Sequence, residues 1–510
     1  MKISLLSSRR LPSIFFALAV VSFTASISFA AEPVRFKISV DPSVAGAPLS
    51  GRLLVFMRVA GKETDGFGVD ESNPASVWVT GEEVSDLTPD SPIVIDPDRV
   101  SYPTPFSSAP AGEYQIFALL DRDHSYTYGG PGSGDLYSQV VKATMPAAET
   151  ELTLYKAIPE RKLPESPNAK VVEFESPMLS AFWGRPITMQ ATVVLPPSYE
   201  KSGSQKYPTV YSIHGYNGTH LGGVRGAADL VKSMSDGTRP EMIYVYLNGH
   251  TTTGHHVFAD SVNNGPWGTA LVKEFIPYLE KQFRMDAKPS GRFLTGHSSG
   301  GWSSLWVMIT HPDFFAGTWS TSPDPVDFRN FTGPDIYASN ANAFARPDAS
   351  EYGLVRMNGK DVATIKQFAQ QEIVLGEYGG QMQSFNAVFS PKGPDGRPME
   401  LYDFKTGRVD PFVAKAWEKF DISRILRDNW PTLGPKLKGK LHIYVGTADT
   451  FHLDEPTRLL DAELKKLGSD AKIEYLEGRT HFDLYKDGLA NTIAWEMYKV
   501  ARPNAKAAAK

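Results

Sequence analysis

A serine framed by glycines is the first place in this 510-residue chain where chemistry can be read. The stretch Gly291-Arg292-Phe293-Leu294-Thr295-Gly296-His297-Ser298-Ser299-Gly300-Gly301 places Ser298 in a G-x-S-x-G frame. Residues 292–295 read as a short buried strand and residues 302–309 as a helix, so the chain must reverse at Ser298. A turn that sharp holds the serine in a strained backbone conformation with its hydroxyl standing free. Only residues without a Cβ fit at the two flanking positions.

A serine hydroxyl is a poor nucleophile at neutral pH, so it needs a base within hydrogen-bond reach and a third group to orient that base. Of the eleven histidines, His481 is best placed, in Gly478-Arg479-Thr480-His481-Phe482-Asp483, between a last strand at 473–476 and a final helix at 491–500. The chain order serine, acid, histidine asks for a carboxylate after the preceding strand. Asp449 meets it, three residues past Gly446 at the end of a strand at 441–445. Asp454 is the alternative, but it lies close to a helix beginning near Pro456, where an acidic side chain serves the positive helix terminus. Acyl transfer also needs donors for the developing oxyanion. The backbone N–H groups of Ser299 and of Tyr216 are the candidates, the latter in His214-Gly215-Tyr216-Asn217-Gly218 after a strand at 209–213.

A second loop, residues 248–256, follows a strand at 242–247 and carries His250, His255 and His256. Three histidines invite a zinc reading, yet no carboxylate is closely spaced with them until Asp260 and serine chemistry needs no metal. His255 and His256 are therefore expected to touch substrate or to support the site, and Trp267 to wall the pocket or to belong to the core. No metal and no cofactor is expected.

Elements able to position these residues follow from hydrophobic periodicity. From Val34 to about Tyr155 apolar residues alternate with period two in short pieces, as in Phe36, Ile38 and Val40, and the number of strands suggests a β-sandwich. Asp121, Asp123 and His124, followed by residues 129–135, are read there as a polar loop, since no calcium or zinc spacing is present. Farther on, short continuous apolar runs alternate with helical stretches at 269–283 and 456–467, the pattern of strands buried on both faces. The expected architecture is an α/β-hydrolase fold with a mostly parallel sheet at 171–503, preceded by a β-sandwich domain at 31–157 and a proline-rich linker at 158–170. The alternation lapses over about 324–438, an insertion read as a lid or pocket wall, with helices at 362–375 and 411–419 and Trp417 and Phe420 as its small core. Residues 504–510 read as a frayed tail.

The first thirty residues resemble a bacterial signal peptide. Lys2, Arg9 and Arg10 precede an apolar core at 14–23, and Ser28-Phe29-Ala30 offers a cleavage site. Pro12 sits poorly in a twin-arginine signal, which favours the general secretory route. The expected location is the periplasm or the medium, without membrane insertion of the mature chain. The chain has no cysteine, which removes disulfides, thiolate metal sites, a cysteine nucleophile and a lipid-modified cysteine together. With 52 Lys and Arg against 57 Asp and Glu the formal charge is −5, and loss of the three leader cations would bring it to −8. No basic run is present, which argues against a nucleic-acid partner.

Ile213-His214-Gly215-Tyr216, Asn264-Gly265-Pro266-Trp267-Gly268, Gly296-His297-Ser298-Ser299-Gly300-Gly301, Gly446-Thr447-Ala448-Asp449 and Thr480-His481-Phe482 together resemble the putative-esterase family of α/β-hydrolases. That family includes esterase D, feruloyl esterases and enterochelin esterases. The likeness spans roughly 185–325 and 440–500 and implies a serine carboxylesterase with Ser298, Asp449 and His481 as its triad, acting on a small-molecule or glycan-linked ester. Two other outcomes remain open: an acyltransferase or peptidase on the same triad, and a silent hydrolase scaffold that binds carbohydrate.

Overall fold

The computed structural model describes residues 34–44, 46–126, 130–147, 149–160, 162–376 and 380–505. The signal-peptide reading at 1–30 lies outside these residues, as does most of the tail at 504–510.

An eight-stranded sheet carries the chemistry. Across it run Ala169–Glu175, Thr188–Val194, Ile243–Leu247, Thr209–Ile213, Arg292–His297, Gly317–Thr321, Leu441–Gly446 and Lys472–Leu476. The first two strands pair antiparallel, and every pairing from Ile243–Leu247 onward is parallel. All but one of the parallel strands contribute to two cores, because successive side chains leave a sheet on opposite faces; Gly317–Thr321 gives only Trp319 to one of them. Phe293 packs on one side with Met234, Ile493 and Met497, while its neighbour Leu294 packs on the other with Trp302, Leu305 and Leu460. Helices Gly222–Ser235 and Leu489–Ala501 cover the first face, and Ser299–Thr310 and Asp454–Lys466 the second. Burial on both faces is why these strands read as continuous apolar runs.

Strands Arg35–Val40 through Glu149–Ala157 form one nine-stranded sheet. The expected two-sheet sandwich gives way to a single hydrogen-bonded path because Leu136–Ser138 pairs with both Gly112–Asp121 and Glu149–Ala157. Phe36 and Ile38 from one end of the path share a core with Leu53 and Ile116 from its middle, so the sheet curls over itself. In its 121–135 loop, Asp121 accepts from the N–H groups of Ser125 and Tyr126, and Asp135 from those of Arg122 and Gly132. Those two carboxylates fasten the loop.

Three boundaries differ from the sequence reading. The helix expected at 362–375 begins at Ile365, where Thr364 and Gln367 form a capping box, and residues Lys360–Thr364 are a hairpin strand instead. The helix expected at 269–283 is interrupted by a π-helical turn at Leu271–Phe275, just before Pro277, which has no N–H to continue the ladder. A helix over Ile422–Leu437 is masked in the sequence because Pro431 and Pro435 lie inside it.

The insertion has no separate core. Trp417 and Phe420 meet Phe389, Phe328 and Trp306 in edge-on and tilted contacts, one aromatic cluster continuous with the helix that follows Ser298. Its helix Ile365–Leu375 also meets the N-terminal sheet. Val374 and Leu375 are buried among Leu54, Phe56 and Val79, and the Arg52 guanidinium donates to the Val374 carbonyl at 2.8 Å.

Candidate active site

Ser298 stands at the carboxyl end of Arg292–His297 with φ 60° and ψ −124°, a conformation that L-residues rarely adopt. Its glycine neighbours are dictated by backbone contact. A Cβ on Gly296 would lie 2.1 Å from the Gly300 carbonyl oxygen, and one on Gly300 would lie 2.0 Å from that of Ile213. Gly300 thus lets the helix press against the strand that leads into the Gly215 loop. The turn is anchored by Ser298 N–H donating to Thr321 O at 3.0 Å.

His481 follows the last strand and lines the same cavity as Ser298, about 380 Å³ in volume. Its Nδ1 is 3.0 Å from Asp449 Oδ2, and both residues are buried. Asp449 Oδ1 accepts from the Phe451 N–H at 2.9 Å. Burial raises the Asp449 pKa, but the hydrogen bond and charge of His481 outweigh it and leave the carboxyl below its usual value. Asp454 does not face the imidazole. It opens the helix Asp454–Lys466 and pairs with Arg356 at 3.0 Å. Gly215 and Tyr216 line the cavity opposite, and a Cβ on Gly215 would come within 3.2 Å of the Ser298 Cβ. Ser299 begins the helix, where backbone N–H groups lack intrahelical acceptors.

Two neighbours of Ser298 are not among the candidate site residues singled out by sequence. Asp324 is buried, accepts from the Ser299 hydroxyl at 2.6 Å and from the Ser298 hydroxyl at 3.3 Å. Burial lifts its pKa to about 6 against the opposing pull of the Ser299 hydrogen bond. A signal existed, since Asp324 follows the strand beside the nucleophile strand, the same placement that singled out Asp449. His297 packs its ring 4.3 Å from that of His481, and burial together with the His481 charge lowers its pKa to about 3. A neutral ring there adds no positive charge beside the base.

His255, His256 and Trp267 are not on the cavity wall. The His256 ring stacks on Trp267 at 3.9 Å, and Trp267 Nε1 donates to Asn264 O. Burial holds both histidines well below their ordinary pKa. His255 Nδ1 accepts from the Val257 N–H, which leaves Nε2 to donate to His214 O at 3.1 Å. His214 Nε2 accepts from the Gly249 N–H, so its Nδ1 donates to Gly215 O at 2.7 Å. Because these ring nitrogens are committed to backbone, the cluster braces the Gly215 loop from behind; of the roles expected for His255 and His256 this geometry favours support over substrate contact, and Trp267 packs against them.

Much of the remaining wall comes from the insertion, through the polar Thr332 and Gln381 and the apolar Leu354, Phe368, Met382 and Phe385, and from Phe451 and Phe482 beside His481. Glu71, from a turn of the N-terminal sheet, also lines it.

Strand order, parallel register and cores on both faces of the sheet give the chain an α/β fold. Residues 183–365 match the family described as "Putative esterase", as the motifs implied; the matched segment holds Ser298, Tyr216 and Asp324, while Asp449 and His481 lie beyond it. An esterase of Mycobacterium tuberculosis, found in two strains, is 27% identical over 155 residues, which cover 30% of this chain and 32% of that protein. The chain therefore matches about a third of the length of these relatives. Among solved structures, a ferulic acid esterase is similar over 66% of this chain and 99% of its own, with 15% identity and a TM-score of 0.42. An S-formylglutathione hydrolase from Agrobacterium tumefaciens is similar over 67% of this chain and 97% of its own, with 14% identity and a TM-score of 0.36.

Proposed function

We propose that this protein is an exported carboxylic-ester hydrolase working through Ser298, His481 and Asp449. The observation that carries the reading is the shared cavity: a serine at positive φ and an imidazole bonded to a buried carboxylate open onto one space. In the first half-reaction Ser298 Oγ attacks the ester carbonyl while His481 Nε2 takes its proton. Asp449 holds Nδ1–H and stabilises the imidazolium. The Tyr216 and Ser299 N–H groups receive the oxyanion. Collapse expels the alcohol, which takes the proton from His481 and leaves an acyl-Ser298 ester. Water then attacks that ester with His481 as base, the acid is released, and the serine recovers its proton.

Ser298 Oγ must swing from Asp324 toward His481 for the first step, and the long 3.3 Å contact offers little resistance. The reading is tested with a nitrophenyl ester and a fluorophosphonate probe. Wild-type protein should hydrolyse the first and be labelled by the second, and Ser298→Ala should do neither. Undiminished hydrolysis by the alanine variant would reject it. Partition of the acyl group between water and added alcohol or amine separates a hydrolase from an acyltransferase. Export is tested by the N-terminus of the mature chain, expected near Ala31.

A further inference from the structure

Glu71 is distant in sequence from every other group on the cavity wall. It sits between strands Leu49–Val59 and Val77–Leu87 in a tight turn that Asp70 fastens, accepting from the Ser72 N–H at 2.9 Å and the Ser72 hydroxyl at 2.6 Å. The Arg52 bond to Val374 locks the sheet that carries this turn onto the insertion helix, which fixes where Glu71 stands. Apart from Glu71, the ionisable lining among the described residues consists of Asp324, His297, His481 and Tyr216, with no lysine or arginine. Among the described residues no ion pair includes Glu71. A half-buried carboxylate without a protein cation, in a cavity that offers it only the uncharged Asn217, Thr332 and Gln381 beside an apolar wall of Phe368, Phe385, Met382 and Leu354, leaves a charge for a ligand to satisfy.

We propose that the cavity selects esters carrying a cationic, ammonium-type group, which Glu71 receives while the apolar wall holds the adjoining carbon chain. This rests on the esterase reading above and specifies its substrate class. Burial, with Asp70 beside it, raises the Glu71 pKa, the consequence of a carboxylate lacking a counter-charge. The Tyr216 phenol, on the same cavity wall, is pushed up by burial and then by the charges of Glu372 and Glu71. An anionic ester would meet repulsion from both Glu71 and Asp324. A neutral ester would leave Glu71 unsatisfied.

The test uses two matched ester pairs. In one, a hexanoyl nitrophenyl ester ends in trimethylammonium or in methyl. In the other, the cation is on the alcohol, as in hexanoyl choline against its neutral dimethylbutyl counterpart. Wild-type protein should prefer the cationic member of at least one pair by about tenfold in kcat/KM, expressed mainly in KM. Glu71→Gln should erase that ratio and Glu71→Asp should retain part of it. Fluorophosphonate labelling reports whether each variant has formed its site. A ratio near one in both pairs with wild-type protein, or a ratio unchanged in labelled Glu71→Gln, overturns the cation proposal and leaves the esterase reading standing. A hydroxyl-terminated hexanoyl ester as good as the trimethylammonium one overturns it too. Failure of Ser298→Ala to abolish turnover removes both.

Discussion

Two groups of histidines meet at the same edge of the central sheet and have opposite surroundings. His481 has one nitrogen on a buried carboxylate and faces the cavity. His214, His255 and His256 pack behind the Gly215 loop, the first two with both ring nitrogens bonded to backbone and His256 with Nδ1 bonded to the Phe258 N–H and its ring stacked on Trp267. An imidazole can move a proton only if one nitrogen is committed and the other is open to a reacting atom. Where both are committed, or the ring is stacked against an indole, histidine is a rigid polar strut. Loop position alone does not separate the two roles, since both groups follow parallel strands.

Substitutions break this comparison in a ranked way. His481→Ala should lower kcat by about 10⁴-fold or more with the fold intact, and Asp449→Asn by about 10⁴-fold, measured on a nitrophenyl ester with circular dichroism as control. Asp454→Asn should cost less than tenfold, because it removes only an ion pair with Arg356 and Arg458. His214→Ala should cost about 10- to 100-fold in kcat, since it frees the Gly215 carbonyl and slackens an oxyanion donor. His256→Ala should leave most of the rate per folded molecule but lower stability by about 1–3 kcal/mol in denaturant titration, through loss of the Trp267 stack and creation of a cavity.

The pH dependence of stability sharpens the comparison because the two regions carry opposite signs. A buried histidine whose folded pKa lies well below its unfolded value binds fewer protons in the native state, so stability is lost as pH falls below about 6.5. Asp324, raised from 3.8 to about 6, binds more protons in the native state, so its contribution is lost as pH rises from about 4 to 6. Between those values, Asp324→Asn should make the slope of unfolding free energy against pH more positive. His256→Phe should make it more negative. Each change is at most about 1.4 kcal/mol per pH unit, and denaturant midpoints at pH 4.5, 5.25 and 6 read it at about that scale.

Much of the nucleophile's setting is legible in the sequence, because it is local. Gly296 and Gly300 are demanded by backbone atoms a few residues away or on the adjacent strand, and the order of Ser298, Asp449 and His481 follows the order of strands. The Ile422–Leu437 helix is hidden by its prolines. The sheet at 35–157 departs from the expected sandwich because period-two alternation marks strands without naming their pairing partners.

By itself the sequence determined the strained serine turn, the pairing candidates for a base and an acid, and the apolar rhythm of a doubly covered sheet, all of which depend on sterics and periodicity over short spans. Only the tertiary structure decided which histidines face the cavity, that Asp324 lies against two serine hydroxyls, and that a turn near residue 71 reaches a pocket built more than a hundred residues later in the chain. Those facts arise from packing between remote segments. A side chain's chemistry is set by the neighbours that such packing supplies.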